Sequence, residues 1–562
     1  MLPLYLLIAI NYISLMVAAV SALLISISFT RAQRARYPML KRLDGKQMWL
    51  GAITVVALGF GYGAYTWKEL LIARLSYEVS IGSDGAPTEI ASSIGLAGEL
   101  KHAAAVLVSD AKEDFREGER AFKDGRMADA EAAFRRSVAS VPSMAGLLNL
   151  GLSQLRQGRL AEAHSTLEAG LTLALKRADL RFQSRFTRRL GDDAVLSGQL
   201  SDAQTRYVNA LRIDIKTNDV AAQAAATMGL GVVEDQQDRY ARAIQYFKRA
   251  LQLYRAAGVS YDEPGVLVNM GATYFASGDV HNAEQTYQTA ISLAEDSGNL
   301  RAGARAHSGT AAIYERRGDL GRANGSYERA AAMYSRIGDM HGETTNLIGQ
   351  AAVYQHMGEY DKAVKLLTTA VQVAKRTGAR KLIGNALFWL GSSATELGDV
   401  KLAEESYTQS LALAREIESP VDQADALSGL GEVLLKKGSS SDAKHRYDEA
   451  LALSKASKYQ MGEADALAGL ADVARMHGSA TEAVEILTDA CPRYKQLEDV
   501  AGQARCFAKL GEAYAQAKQR DAAIDVLRKA DTLYTSSGVH DSERTKSKRL
   551  FQQLTEGSTL PH

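Results

Sequence analysis

Residues 271–310 read GATYFASGDVHNAEQTYQTAISLAEDSGNLRAGARAHSGT, and this stretch decides the fold. The small residue Gly271 is followed twelve positions later by Ala283, four further by the bulky Tyr287 and three further by Ala290. Helical spacing puts Ala283, Tyr287 and Ala290 on one face. Small side chains there let two helices approach closely, and the ring fills the space between neighbouring turns. Glycine adopts left-handed backbone freely, so Gly278 and Gly298 mark where one helix stops and the next begins. The stretch predicts a helix, a tight turn and a second helix packed against the first.

Working outward, the same spacing recurs along most of the chain. The small residue stands at Gly118, Gly151, Gly191, Gly231, Gly271, Ala311, Ala351, Gly391, Gly431, Ala471 and Gly511. After one step of 33 residues, every step is 40. An alanine lies twelve residues beyond each, and the bulky position is held by side chains such as Phe134, Tyr207, Phe247, Tyr407 and Leu487. Self-similarity at a fixed period of this length belongs to stacked repeat architectures. Eleven units predict about 22 helices, each buried mainly against its neighbours in line.

The pattern of small, aromatic, Ala, aromatic, Ala at Gly271, Tyr274, Ala283, Tyr287 and Ala290 resembles the tetratricopeptide repeat family over roughly residues 111–539. Pro142 matches the family's closing proline in the first copy. The 40-residue copies look like the longer-helix variety seen in kinesin light chains and in cell-polarity adaptors that bind extended peptides. The resemblance implies an all-α fold, a right-handed solenoid of helix pairs, with a concave groove lined by the first helix of each unit. It also implies protein or extended-peptide partners and no cofactor.

Composition fits this reading. Of 562 residues, 46% are hydrophobic and 23% charged, which excludes wholesale disorder. Only 8 prolines favour long helices, and 2 cysteines exclude a disulfide-built scaffold or a multi-cysteine zinc site. A net charge of +1 gives no pointer to nucleic acid. The ten histidines form no HExxH motif, and neither a Walker loop nor a GxSxG elbow occurs. The glycines from Gly59 to Gly63 lie in an apolar run with no strand before them, so a dinucleotide reading fails. Catalysis and metal binding are not expected.

The start of the chain is different. Residues 1–30 carry no charged side chain, and a second uncharged run from Gln47 to Trp67 is bracketed by Trp49 and Trp67. About 20 apolar residues cross a bilayer core, so residues 2–29 and 48–67 read as two membrane spans. The loop between them carries Arg31, Arg34, Arg36, Lys41, Arg42 and Lys46 against a single Asp44. Such an excess belongs on the cytoplasmic side. Both termini and the repeats would then be extracytoplasmic, periplasmic in a Gram-negative cell, with the protein in the cell membrane. Gly59 with Gly63, and the small residues Ser14, Ala18, Ala22 and Ser26, allow close helix contact. They could serve the two-span hairpin itself or a homo-oligomer.

The organisation expected is therefore a first transmembrane helix at 1–30, a basic cytoplasmic loop at 31–47 and a second transmembrane helix at 48–67. A linker and N-terminal helix over 68–110 follow, the helix starting near Glu89. The repeat solenoid covers 111–540, and a C-terminal capping helix with a tail covers 541–562.

The family's groove positions carry over to Leu148, Asn149 and Leu152, then to Arg181, Arg185 and Arg188, and in late units to Asp425, Glu432, Asp465 and Asp472. This implies a groove running from basic and apolar to acidic, which could orient an extended peptide. Arg177, Arg181, Arg185 and Arg189 recur every four residues, a face suited to carboxylate or phosphate. A purely solvated set of helix faces is the other reading. Cys491 and Cys506 sit at core-facing positions on adjacent antiparallel helices. They are either two buried thiols or a disulfide, the latter requiring an oxidising compartment. The function expected is that of a membrane-anchored scaffold or adaptor, assembling an envelope-associated complex. The alternative is a transmembrane sensor that signals through its helix pair.

Overall fold

A computed structural model of the chain describes residues 79–81, 87–90, 98–537 and 542–556. The two expected membrane spans, their basic loop and their small-residue faces lie outside the described residues. Among the described residues no helix is long and apolar enough to cross a membrane. The chain divides into two compact units.

In the first unit, β1 (Val79–Ile81) pairs antiparallel with β2 (Pro87–Ile90), with Ser80 opposite Glu89. The helix expected to start near Glu89 starts instead at Gly98. Pro87 is tolerated at the first position of a strand, and Thr88 and Ile90 are β-branched, so this segment suits a short hairpin better. Four helices follow: α1 (Gly98–Lys123), α2 (Met127–Ser140), α3 (Met144–Arg156) and α4 (Leu160–Lys176). Phe134 on α2 is fully buried, its ring edge-on to Phe115 of α1 at 5.5 Å between centroids.

The second unit begins with α5 (Leu180–Leu196), α6 (Leu200–Lys216), α7 (Val220–Asp235) and α8 (Tyr240–Ala256). It continues through α9 (Glu263–Ala276), α10 (Val280–Ser297), α11 (Leu300–Arg316), α12 (Leu320–Arg336), α13 (Met340–His356) and α14 (Tyr360–Thr377). Then come α15 (Arg380–Leu397), α16 (Val400–Glu416), α17 (Pro420–Lys436), α18 (Ser440–Ser457) and α19 (Gln460–Met476). It closes with α20 (Ala480–Gln496), α21 (Val500–Gln516), α22 (Arg520–Ser537) and α23 (Ser542–Glu556). Odd-numbered helices up to α21 are the first of each pair and even-numbered ones the second.

The local chemistry explains the regularity. Gly278 adopts φ 83° between α9 and α10, and the next residue, Asp279, accepts the backbone N–H of Asn282 at 3.1 Å to cap α10. Asp219, Asp319, Asp339, Asp399 and Asp499 cap their helices in the same way. Between units, Gly298 is left-handed as its type suggests, whereas Glu418, Lys458 and Glu498 take the same conformation without glycine. Tertiary packing overrides a local cost of about 1 kcal/mol at each. Ala283 and Ala290 have no exposed surface and Tyr287 is 4% exposed, so the repeating face is the core. At the far end, Leu554 of α23 packs on Ala515, Ala523 and Leu527, and Arg520 donates to its carbonyl at 2.9 Å.

Candidate functional site

The solvent-facing side of the odd-numbered helices in the second unit follows a rule set by the tyrosines behind it. Each even-numbered helix presents its bulky core residue between two consecutive odd-numbered helices. Where that residue is tyrosine, the position 22 residues later is glycine: Tyr207 with Gly229, Tyr287 with Gly309, Tyr327 with Gly349, Tyr407 with Gly429 and Tyr447 with Gly469. A methyl group added at any of these glycines would stand 2.1–2.7 Å from the ring. Where the bulky residue is Phe247, Leu367 or Leu487, the same position instead carries Asn269, Trp389 or Lys509. Removing the hydroxyl-bearing end of the ring frees space for a large side chain. That pairing selects the prominent groups of this face.

Trp389 is the most distinctive of them. With Arg380, Lys381, Asn385 and Phe388 on α15, Leu413 on α16, Ile417 just beyond it, and Asp422 and Asp425 on α17, it lines a cleft of about 150 Å³. The Phe388 ring stands edge-on to Trp389 at 5.6 Å and to Tyr407 at 5.8 Å, fixing an aromatic floor. Arg380 is drawn to the rim by Glu416, 2.7 Å away, while Asn385 and Lys381 are exposed. The sequence reading missed this cleft, although a tryptophan at a position held by glycine in five other units was the available signal.

Asp425 forms the acidic wall together with Asp422. Burial pushes its carboxyl up, a hydrogen bond from Tyr459 opposes the rise, and the charges of Asp465 and Asp422 add to it, leaving a pKa of about 7. The sign of the consequence is clear. A carboxyl whose folded pKa lies above its unfolded value destabilises the fold increasingly as pH rises from about 4 to 7. Asp425→Asn is therefore expected to melt at a higher temperature than the parent at pH 8, with the gap narrowing as pH falls and closing only near pH 4. Equal melting temperatures at pH 8 would show that the charge is solvated.

The other sequence-selected residues divide into distinct groups. Leu148, Asn149 and Leu152 lie on α3 in the first unit, each partly buried. On α5, Arg181 and Arg185 are exposed, with Arg185 over the Phe182 ring at 5.2 Å. Arg188 is partly buried. Burial and the charge of Arg189 lower its pKa against the pull of Asp214 and Asp192. Arg189 itself donates to Asp192 at 2.7 Å, and Asp192 also accepts the Tyr207 hydroxyl at 2.6 Å. The expected arginine face is thus split between the exposed Arg181 and Arg185 and the half-buried Arg188 and Arg189.

The late carboxylates are not a bare acidic run. Asp472 receives Lys509 at 2.6 Å and Arg475 at 3.3 Å, and Arg475 also reaches Glu512 at 2.9 Å. Burial works against the Asp472 carboxylate, but the two cations outweigh it and hold the pKa below the usual range. Glu432 has Lys436 at 3.5 Å. Asp465 accepts the Tyr494 hydroxyl at 2.6 Å. Asp425 and Asp465 thus face tyrosines, while Asp472 is neutralised by cations of α19 and α21. Cys491 on α20 and Cys506 on α21 are both buried and bonded to one another, with Cα atoms 5.4 Å apart. Among the described residues no group of three or more His, Cys, Asp or Glu is placed to hold a metal ion.

Comparison with known proteins gives a consistent result. A tetratricopeptide repeat model matches residues 183–256, 262–336, 343–416 and 422–496, and two related tetratricopeptide repeat models match residues 115–174 and 504–536. No curated protein matches the chain. Among solved structures, the apo form of the quorum sensor NprR from B. thuringiensis is 15% identical, with a TM-score of 0.44, over 69% of this chain and 97% of that one. A signal transduction ATPase with a tetratricopeptide repeat sensor from Pyrococcus horikoshii is 15% identical, with a TM-score of 0.45, over 60% of this chain and 52% of that one. A tetratricopeptide repeat protein from Parabacteroides merdae is 18% identical, with a TM-score of 0.39, over 53% and 99%.

Proposed function

The chain belongs to the tetratricopeptide repeat family, and from that premise we propose that it is a membrane-anchored interaction scaffold that binds an extended segment of a protein partner. The observation that carries this reading is the face built from α15 and α17. There an aromatic floor, an exposed amide and two carboxylates surround a cleft of side-chain size. Repeat folds of this kind typically position partners without catalysing reactions. A groove of aromatic anchors flanked by hydrogen-bonding groups recognises extended chains by side-chain pockets. The test is binding of the detergent-solubilised full chain to a library of extended peptides, followed by crosslinking to its partner in native membranes. Peptide enrichment that Trp389→Ala abolishes is the expected result. Enrichment unaffected by that change would move the binding face elsewhere, and no enrichment at all would overturn the peptide reading.

The anchor is part of the same proposal. Two uncharged runs over residues 2–29 and 48–67, with six basic residues against one acidic residue between them, support a two-span membrane protein with its repeats outside the cytoplasm. The paired cysteines support an oxidising compartment for the repeats. A reporter active only outside the cytoplasm is expected to work when fused after His562 and to fail when fused within residues 37–44. The reverse pattern would invert the topology. Assembly of an envelope-associated complex is the role that this placement suits best.

A further inference from the structure

We propose that the cleft between α15 and α17 is a subsite for a cationic side chain, lysine or arginine, which lies over the indole of Trp389 and against the carboxylates of Asp422 and Asp425. The proposal deepens the peptide-binding reading above and rests on it for its biological meaning. Its chemistry can be tested separately.

Three observations support this occupant. First, the aromatic floor is rare in this chain. Tryptophan occurs at 389 because Leu367, lacking the phenol of the neighbouring units, leaves the space that Gly349 and Gly429 must yield to Tyr327 and Tyr407. Indole offers the strongest side-chain π-face to a cation. Second, the charges near the cleft do not cancel. Glu416 engages Arg380, leaving Lys381 as the remaining rim cation against the two carboxylates of Asp422 and Asp425. Among the described residues no lysine or arginine lies within ion-pair distance of either carboxylate. Asp472, one unit further on, is by contrast answered by Lys509 and Arg475. Third, the walls contributed by Leu413, Ile417 and Phe388 suit the aliphatic stem of a long side chain, with charge confined to its tip. An acidic side chain would meet Lys381, and Arg380 only in competition with Glu416, and would oppose two carboxylates.

The experiment uses the full chain carrying Trp49→Phe and Trp67→Phe, so that tryptophan emission reports on Trp389 alone. N-acetyl-arginine amide, N-acetyl-lysine amide, N-acetyl-glutamate amide and N-acetyl-leucine amide are titrated at constant ionic strength and pH 8.5, above the titration of Asp425. A saturable emission change with the arginine and lysine probes, at least tenfold tighter than with the glutamate and leucine probes, is expected. Asp422→Asn with Asp425→Asn, which preserves shape, should weaken the arginine probe at least tenfold while leaving the helical circular dichroism unchanged. Equal responses to all four probes, a preference for the glutamate probe, or a doubly substituted chain that binds like the parent would each overturn the proposal. Should that variant unfold, Lys381→Glu decides, with tighter binding of the arginine probe supporting the subsite and unchanged or weaker binding overturning it. A cleft that passes these tests in a chain that enriches no library peptide would overturn the peptide-binding reading and leave the cation subsite standing.

Discussion

Replacing Gly469 by lysine is expected to destabilise the second unit by roughly 1–3 kcal/mol or more, and replacing Tyr447 by leucine in the same chain is expected to recover most of the loss. A side chain at Gly469 would begin 2.1 Å from the Tyr447 ring, closer than any real contact allows. The ring cannot retreat, because it also lies against Gly431, where a Cβ would stand 2.7 Å away. The double replacement copies what the chain already does one unit later, where Leu487 precedes Lys509 by the same 22 residues. The measurement is urea unfolding of the parent, the two single variants and the double variant, read as a thermodynamic cycle. Additive losses would show that ring and glycine are independent, and the rule relating tyrosine to the groove residue would fall. Tyr447→Leu alone should cost less than Gly469→Lys alone, since it opens space instead of closing it.

Reducing the Cys491–Cys506 bond is expected to produce the second large loss, about 3 kcal/mol if chain entropy dominates. The cysteines are 15 residues apart in sequence and join α20 to α21 across the turn that begins the last repeat pair. Both sulfurs are buried with Leu487, Leu510 and Tyr494, so the reduced thiols would pack in the same core and the contacts there would persist. Stabilisation therefore acts mainly through the unfolded chain. Cys491→Ala with Cys506→Ala should lower the unfolding midpoint by a similar amount, and a reductant should then have no further effect on the variant. Each repeat is held mainly by its neighbours, a terminal one from one side only, and this pair guards one end. Protection from hydrogen exchange should thus fall first in α20 to α23. An identical midpoint with and without reductant would show that the thiols are free in solution, and the argument for an oxidising compartment would lose its support.

The two predictions differ in what could be foreseen. Sequence position alone placed Cys491 and Cys506 on facing helices, because the 40-residue register assigns each residue to a side. Whether Arg188 or Arg189 would find a counterion was not visible in that register. Asp192 takes Arg189, three residues away on its own helix, while Arg188 feels the charges of both Asp214 and Asp192. At the expected acidic end, likewise, Lys509 reaches Asp472 from 37 residues away.

The sequence by itself determined the helix pairs, their turns and their core, because each depends on contacts within one repeat and is written again in every copy. Ala283, Tyr287, Gly278 and Asp279 act over separations of a few residues, so period and spacing reveal them without coordinates. Tertiary structure decided which groups remain available to a partner. Those contacts run between successive first helices, as in Arg305 to Asn269 and Ser308 to Asn346, 36 and 38 residues apart. At such separations the repeat pattern is silent, because the side chains involved are the ones that differ from copy to copy. Trp389 has its cleft, and Asp425 its buried charge, because of what neighbouring units place beside them.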